Sequence, residues 1–176
     1  MYSYSNTVLL AYAIISTNGA VVVDADNYPK KEVNHWKNTG KRVLLSIGGP
    51  NTKWTNAFLT ESNRQTFLST IVSVVRTYSL DGVDLDIEGS FIPTPKQIAT
   101  TIVDLRRNLN NLGRKYISLS ADCVTVYQGS PVPDVDKSGQ AFNYLVPVIQ
   151  LADSSIDFYH AKAYSNWYDG YSHTTL

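Results

Sequence analysis

The stretch GVDLDIE, Gly82–Glu88, alternates apolar and acidic side chains: Val83, Leu85 and Ile87 on one parity, Asp84, Asp86 and Glu88 on the other. A period of two belongs to a β-strand, and it sends the apolar side chains to one face and the carboxylates to the opposite face. Successive acids on that face have Cα atoms roughly 6.5–7 Å apart. Burying like charges so close together is costly, because each ionised carboxylate disfavours the next. The strand therefore needs a helix layer against its apolar side and a second layer, or a barrel interior, against its acids. A purely structural row would want basic partners, and Lys or Arg at strand ends is scarce. At least one of the acids is expected to titrate well above a free carboxyl group, as a general acid at neutral pH must.

The rest of the chain supplies the helix layer. Short apolar runs at Val8–Ile15, Val43–Ile47, Gly82–Glu88, Tyr116–Ala121 and Ile156–Tyr164 read as five strands. Between them lie helical patterns at Pro29–Thr39, Glu61–Ser79, Pro95–Leu112 and Ala141–Ala152, the last expected to bend at Pro147. Phe67, Leu68, Ile71, Val74, Val75 and Tyr78 recur at spacings of three and four, and so do Ile98, Ile102, Leu105 and Leu109. Strand then helix, repeated, implies parallel strands joined by right-handed crossovers. Such an α/β chain is either an open doubly wound sheet or part of a (β/α) barrel. Glycines and acids collect just after strand ends, at Gly48–Gly49, Glu88–Gly89 and Asp122, the edge where both folds place their sites.

Other chemistries are excluded. Asp84, Asp86, Glu88 and Gly89 imitate the opening of a calcium loop, but positions nine and twelve are Ile92 and Pro95, and neither side chain ligates a cation. The single Cys123 permits no intramolecular disulfide and no cysteine-only metal site, and His35, His160 and His173 lack metal-ligand spacing. The 15 basic and 15 acidic residues are dispersed along the chain, with no basic cluster for nucleic acid or for a charged membrane surface. No run approaches the roughly 18–20 apolar residues of a membrane span. Val8–Ile15 is preceded by no Lys or Arg, the first being Lys30, so it reads as a buried strand and no secretion signal is visible. The 12 tyrosines and 3 tryptophans suit stacking on sugar rings, and suit a well-filled core equally.

These residues resemble a known family. DGVDLDIE, Asp81–Glu88, is similar to the fourth-strand signature of family 18 glycoside hydrolases, the chitinases and related endo-β-N-acetylglucosaminidases. SIGG, Ser46–Gly49, resembles the third-strand motif, and AYSNWYDG, Ala163–Gly170, the sixth-strand segment. The resemblance implies a TIM-barrel type fold, with residues 1–176 as a single catalytic-domain fragment resembling strands two to six. Such barrels need about 250 residues. It also implies retaining, substrate-assisted hydrolysis of β-1,4-linked N-acetylglucosamine with no cofactor and no metal. Glu88 would be the general acid/base, Asp86 would orient the substrate acetamido group with Asp84 behind it, and Tyr164 would hydrogen-bond the acetamido oxygen.

Gly48, Gly49, Asp122, Trp54 and Trp167 are the candidate substrate contacts. Trp54 fits packing as well as it fits a sugar platform, and Trp167 does not by position replace the eighth-strand tryptophan of relatives. Lys162 stands where Gln or Met is usual, and Ser165 where Asp or Asn is usual. Pointing inward, Lys162 would bring a positive charge among the acids and hold Glu88 ionised. The implied ligand is chitin or N-acetylglucosamine oligosaccharide, and the implied location is extracellular, given a signal upstream. Alternatives are an endo-β-N-acetylglucosaminidase on glycoprotein glycans, a non-catalytic carbohydrate binder and an inactive fragment. Five strands in an open piece would also expose sheet edges through which copies associate.

Overall fold

A computed structural model describes residues 6–49, 51–87, 93–122 and 145–162. Five parallel strands, β1 (Thr7–Ile15), β3 (Arg42–Gly48), β4 (Gly82–Asp86), β5 (Tyr116–Asp122) and β6 (Phe158–Lys162), line up in sequence order. The two-residue β2 (Val21–Val22) adds an antiparallel edge against Ile14 and Ile15. Between the strands run α1 (Lys30–Asn38), α2 (Glu61–Thr77), α3 (Pro95–Asn110) and α4 (Val146–Ala152).

The strand order decides between the two folds left open by the pattern. A doubly wound sheet reverses direction once and carries helices on both faces. Here the order never reverses, and one continuous apolar core joins Val43, Leu45, Ile47, Val83, Leu85 and Ile117 to residues of all four helices, including Val33, Phe67, Ile102 and Val148. Leu44 is fully buried but stands outside that core, on the opposite face. With every described helix on one side, the sheet is a sector of a (β/α) barrel wall. Its other face is the barrel interior.

Local chemistry fixes where the helices begin. Thr60 accepts from the Asn63 amide at the start of α2. Thr94 and Gln97 form a reciprocal capping box ahead of α3, with Pro95 in its first turn. Arg64 of α2 pairs with Asp104 of α3 at 2.7 Å, tying neighbouring helices together. The expected bend at Pro147 is corrected: α4 begins at Val146, so the proline lies in the first turn. There its missing N–H has no intrahelical acceptor to lose, and the ring starts the helix instead of breaking it.

Candidate functional site

Pairing between strands assembles the inner face in rows. Asp84 of β4 is flanked by Ser46 of β3 and Ser118 of β5, and Asp86 by Gly48 and Ser120. Beyond β5, Ser120 aligns with His160 and Asp122 with Lys162. Asp84 is fully buried. Its Oδ2 accepts from the Ser46 hydroxyl at 2.8 Å and its Oδ1 from Ser118 at 2.6 Å, while the Ser120 hydroxyl reaches both oxygens at 2.9 and 3.0 Å. A carboxylate can be buried when its lone pairs are filled in this way. The sequence reading looked for basic partners and missed the serines. Their signal was present, since Ser118, Ser120 and Asp122 alternate in YISLSAD on the same period as the acids.

Asp86 is balanced differently. Its carboxylate forms an ion pair with the Lys162 ammonium at 2.7 Å, and the two side chains are only 4 % and 11 % exposed. Lys162 thus points inward, as the sequence allowed. Asp86 is a partner that the sequence reading did not name; the effect expected on Glu88 concerns a residue outside the described ones.

The end of β3 shows why the SIGG glycines are needed. Gly48 has φ +133°, and a Cβ there would sit 2.0 Å from the Asp86 carbonyl oxygen, so only glycine lets β3 run this close to the end of β4. Gly49, at φ +80°, turns the chain away and donates its N–H to the same carbonyl at 3.3 Å. The Trp54 indole N–H donates there as well, at 3.1 Å. Trp54 is 1 % exposed and edge-on to Phe67, with ring centroids 6.0 Å apart. Its faces are sealed in the core, so the sugar-platform expectation is corrected: Trp54 pins the end of β4.

Tyr12 of β1, absent from the sequence-based candidates, is 53 % exposed and lays its ring where a Gly49 side chain would be, 3.3 Å from that Cβ position. It puts an open aromatic surface beside the glycine turn. Deeper in the face, a Cβ on Gly82 would sit 2.0 Å from the Tyr116 carbonyl oxygen, so the glycine lets β4 and β5 run close together. The Arg42 guanidinium carbon lies 4.8 Å from the Tyr116 ring centroid and 5.2 Å from that of Phe158, flooring the interior with cation–π contacts. The buried Nε2 of His160 has no hydrogen-bond partner among the described residues. Among the described residues no group of three His, Cys, Asp or Glu is arranged to hold a metal ion. Asp122 ends β5 opposite Lys162. Glu88, Tyr164 and Trp167 lie outside the described residues.

A sector of barrel wall with two buried acids on its fourth strand is the setting that the sequence resemblance implied. The sequence profile described as Glycosyl hydrolases family 18 matches residues 3–170. The chain belongs to that family. This family 18 chain is 26 % identical over 147 residues to Chitinase Chi52 of Paenibacillus xylanexedens, a match covering 77 % of the chain and 27 % of the relative. It is 36 % identical over 84 residues to the oviduct-specific glycoprotein of Bos taurus, across 44 % of the chain and 16 % of that protein. The fold is similar to that of a GH18 chitinase from Pseudoalteromonas aurantia, with a TM-score of 0.73 at 18 % identity, covering 92 % of this chain and 62 % of that one. The family 18 chain thus spans about a quarter of the curated chitinase that it matches.

Proposed function

We propose that this chain carries the acid-bearing part of a family 18 site that hydrolyses β-1,4-linked N-acetylglucosamine in chitin or chito-oligosaccharides. The observation that supports this reading best is the pair Asp84 and Asp86, buried on the inner face at the carboxyl edge of β4 and individually compensated. The substrate's acetamido oxygen attacks the anomeric carbon as the glycosidic bond breaks, and Glu88 gives its proton to the departing oxygen. The resulting oxazolinium carries positive charge beside Asp86 and Asp84, where buried carboxylates interact more strongly than in water. Water then attacks the anomeric carbon, breaking its bond to the acetamido oxygen and restoring the N-acetyl group, and gives a proton back to Glu88. Tyr164 steadies the acetamido oxygen, and the exposed ring of Tyr12 offers an apolar surface to the sugar.

The matched relative named as a chitinase supports the substrate class. Release of reporter from a fluorogenic chitotrioside by the purified chain tests it, beside Glu88→Gln. The expected result is activity in the parent and a loss of at least about 100-fold in the variant, the scale of a missing general acid. Turnover in the variant near the parental rate would remove Glu88 from this role. Product analysis on chitin oligomers beside a glycoprotein separates chitinase action from cleavage of glycoprotein glycans.

A further inference from the structure

The two described acids of the row are compensated by opposite means. Asp84 takes neutral hydroxyl donors from Ser46, Ser118 and Ser120, and among the described residues no cation pairs with it. Asp86 takes an ammonium at 2.7 Å, from a lysine itself only 11 % exposed. Hydroxyls stabilise a carboxylate without cancelling its charge, whereas the Asp86–Lys162 pair is neutral as a unit. We propose that Lys162 is the positioning residue of this site: it holds the Asp86 carboxylate toward β6 as an ionised hydrogen-bond acceptor and leaves Asp84 as the net negative charge of the pair.

The geometry supports this division of labour. Asp84 and Asp86 project from one face of one strand, so their repulsion in a dry interior would otherwise drive one of them to take up a proton. Among the described residues, the following stand on or beside the strand segment that carries Asp86. Asp84 shares β4, and Ser46 and Gly48 of β3 bring no titratable group. Ser120 and Asp122 belong to β5, His160 and Lys162 to β6. Trp54 touches only the Asp86 carbonyl. Glu88 follows two residues on in the sequence. Among the cationic side chains of the described inner face, Lys162 reaches the Asp86 carboxylate, while the Arg42 guanidinium is spent on the rings of Tyr116 and Phe158.

The consequence for turnover rests on the hydrolase reading proposed above; the positioning itself does not. The test therefore has two arms. In the first, carboxyl carbons of aspartate are followed by NMR through a pH titration of the intact chain without substrate. In the parent, Asp86 keeps its ionised shift from pH 8 down to pH 5. In Lys162→Met its midpoint rises by at least about one pH unit, and Lys162→Arg restores the parental curve. Lys162→Gln carries the same comparison should the methionine variant not fold. An Asp86 titration identical in parent and neutral variants overturns the proposal, and so does failure of the arginine variant to rescue.

The second arm follows hydrolysis against pH. The acidic limb of kcat moves upward by a similar amount in Lys162→Met, with KM changed by less than about twofold, because the substrate contacts stay. A parent silent on every chito-oligosaccharide, with Asp86 still moving in the first arm, removes the hydrolase reading and keeps the role of Lys162. Hydrolysis with an unmoved Asp86 does the reverse.

Discussion

Asp84 shows how much a single buried residue depends on its donors. Ser118 is fully buried and gives the shortest of the hydroxyl bonds to Asp84, at 2.6 Å. Ser118→Ala leaves one carboxylate oxygen short of a donor in a place water does not reach, which costs about 1–3 kcal/mol. The expected outcome is a thermal midpoint lowered by about 2–4 °C for each kcal/mol lost, read by calorimetry, with reduced chito-oligosaccharide turnover. An unchanged midpoint would mean that Ser46 and Ser120 suffice. At this scale much of the site was legible. The shared face of Asp84 and Asp86 followed from parity alone, while the direction of Lys162 was left open by the sequence and is given by its pairing with Asp86. The role of Trp54 did not, because its partner, the Asp86 carbonyl, lies 32 residues away and only packing brings the two together.

Among elements, the acid that opens the DGVDLDIE motif has a different task from the others. Asp81 precedes β4 and clamps its neighbours: its carboxylate accepts the Val43 N–H at 2.9 Å, its own N–H donates to the Val43 carbonyl, and its carbonyl accepts from Tyr116. Lys37 of α1 pairs with it at 3.3 Å. Asp157 repeats the device before β6, accepting from the Ile117 N–H at 2.8 Å and from Arg106. Asp81→Ala should therefore cost about 1–3 kcal/mol by orphaning the Val43 N–H at the start of β3. Its kcat should stay near the parental value, because the residue is at the opposite end of β4 from Asp86. Loss of kcat without loss of thermal stability would contradict this assignment. The long strands and helices were legible from their periods. The two-residue β2 and the 3-10 turn Trp54–Phe58 were not, being too short to show one.

At the scale of the whole molecule, the barrel sector leaves apolar surface in view. Leu9, Ile14 and Val22 are 36 %, 54 % and 45 % exposed along the β1 side of the sheet, and β2 covers only Ile14 and Ile15 of that edge. Apolar edges of this kind recruit further strands. Sedimentation equilibrium of the purified chain should give an average mass above 19.6 kDa that climbs with concentration, and Ile14→Lys should lower it. A constant monomer mass across the range would rule out association through this edge.

The sheet's unbroken strand order has a consequence for how the molecule is made. Each parallel strand leans on the one before it, so the wall can be laid down in the order in which the ribosome releases it, with no early strand waiting for a distant partner. Under that order Asp84 and Asp86 are in place when β4 docks, and the first of their serines outside β3 arrives with β5. Lys162, on the last of the described strands, comes after all of them. The ammonium that pairs with Asp86 is therefore released after both acids and after all three serines that serve Asp84.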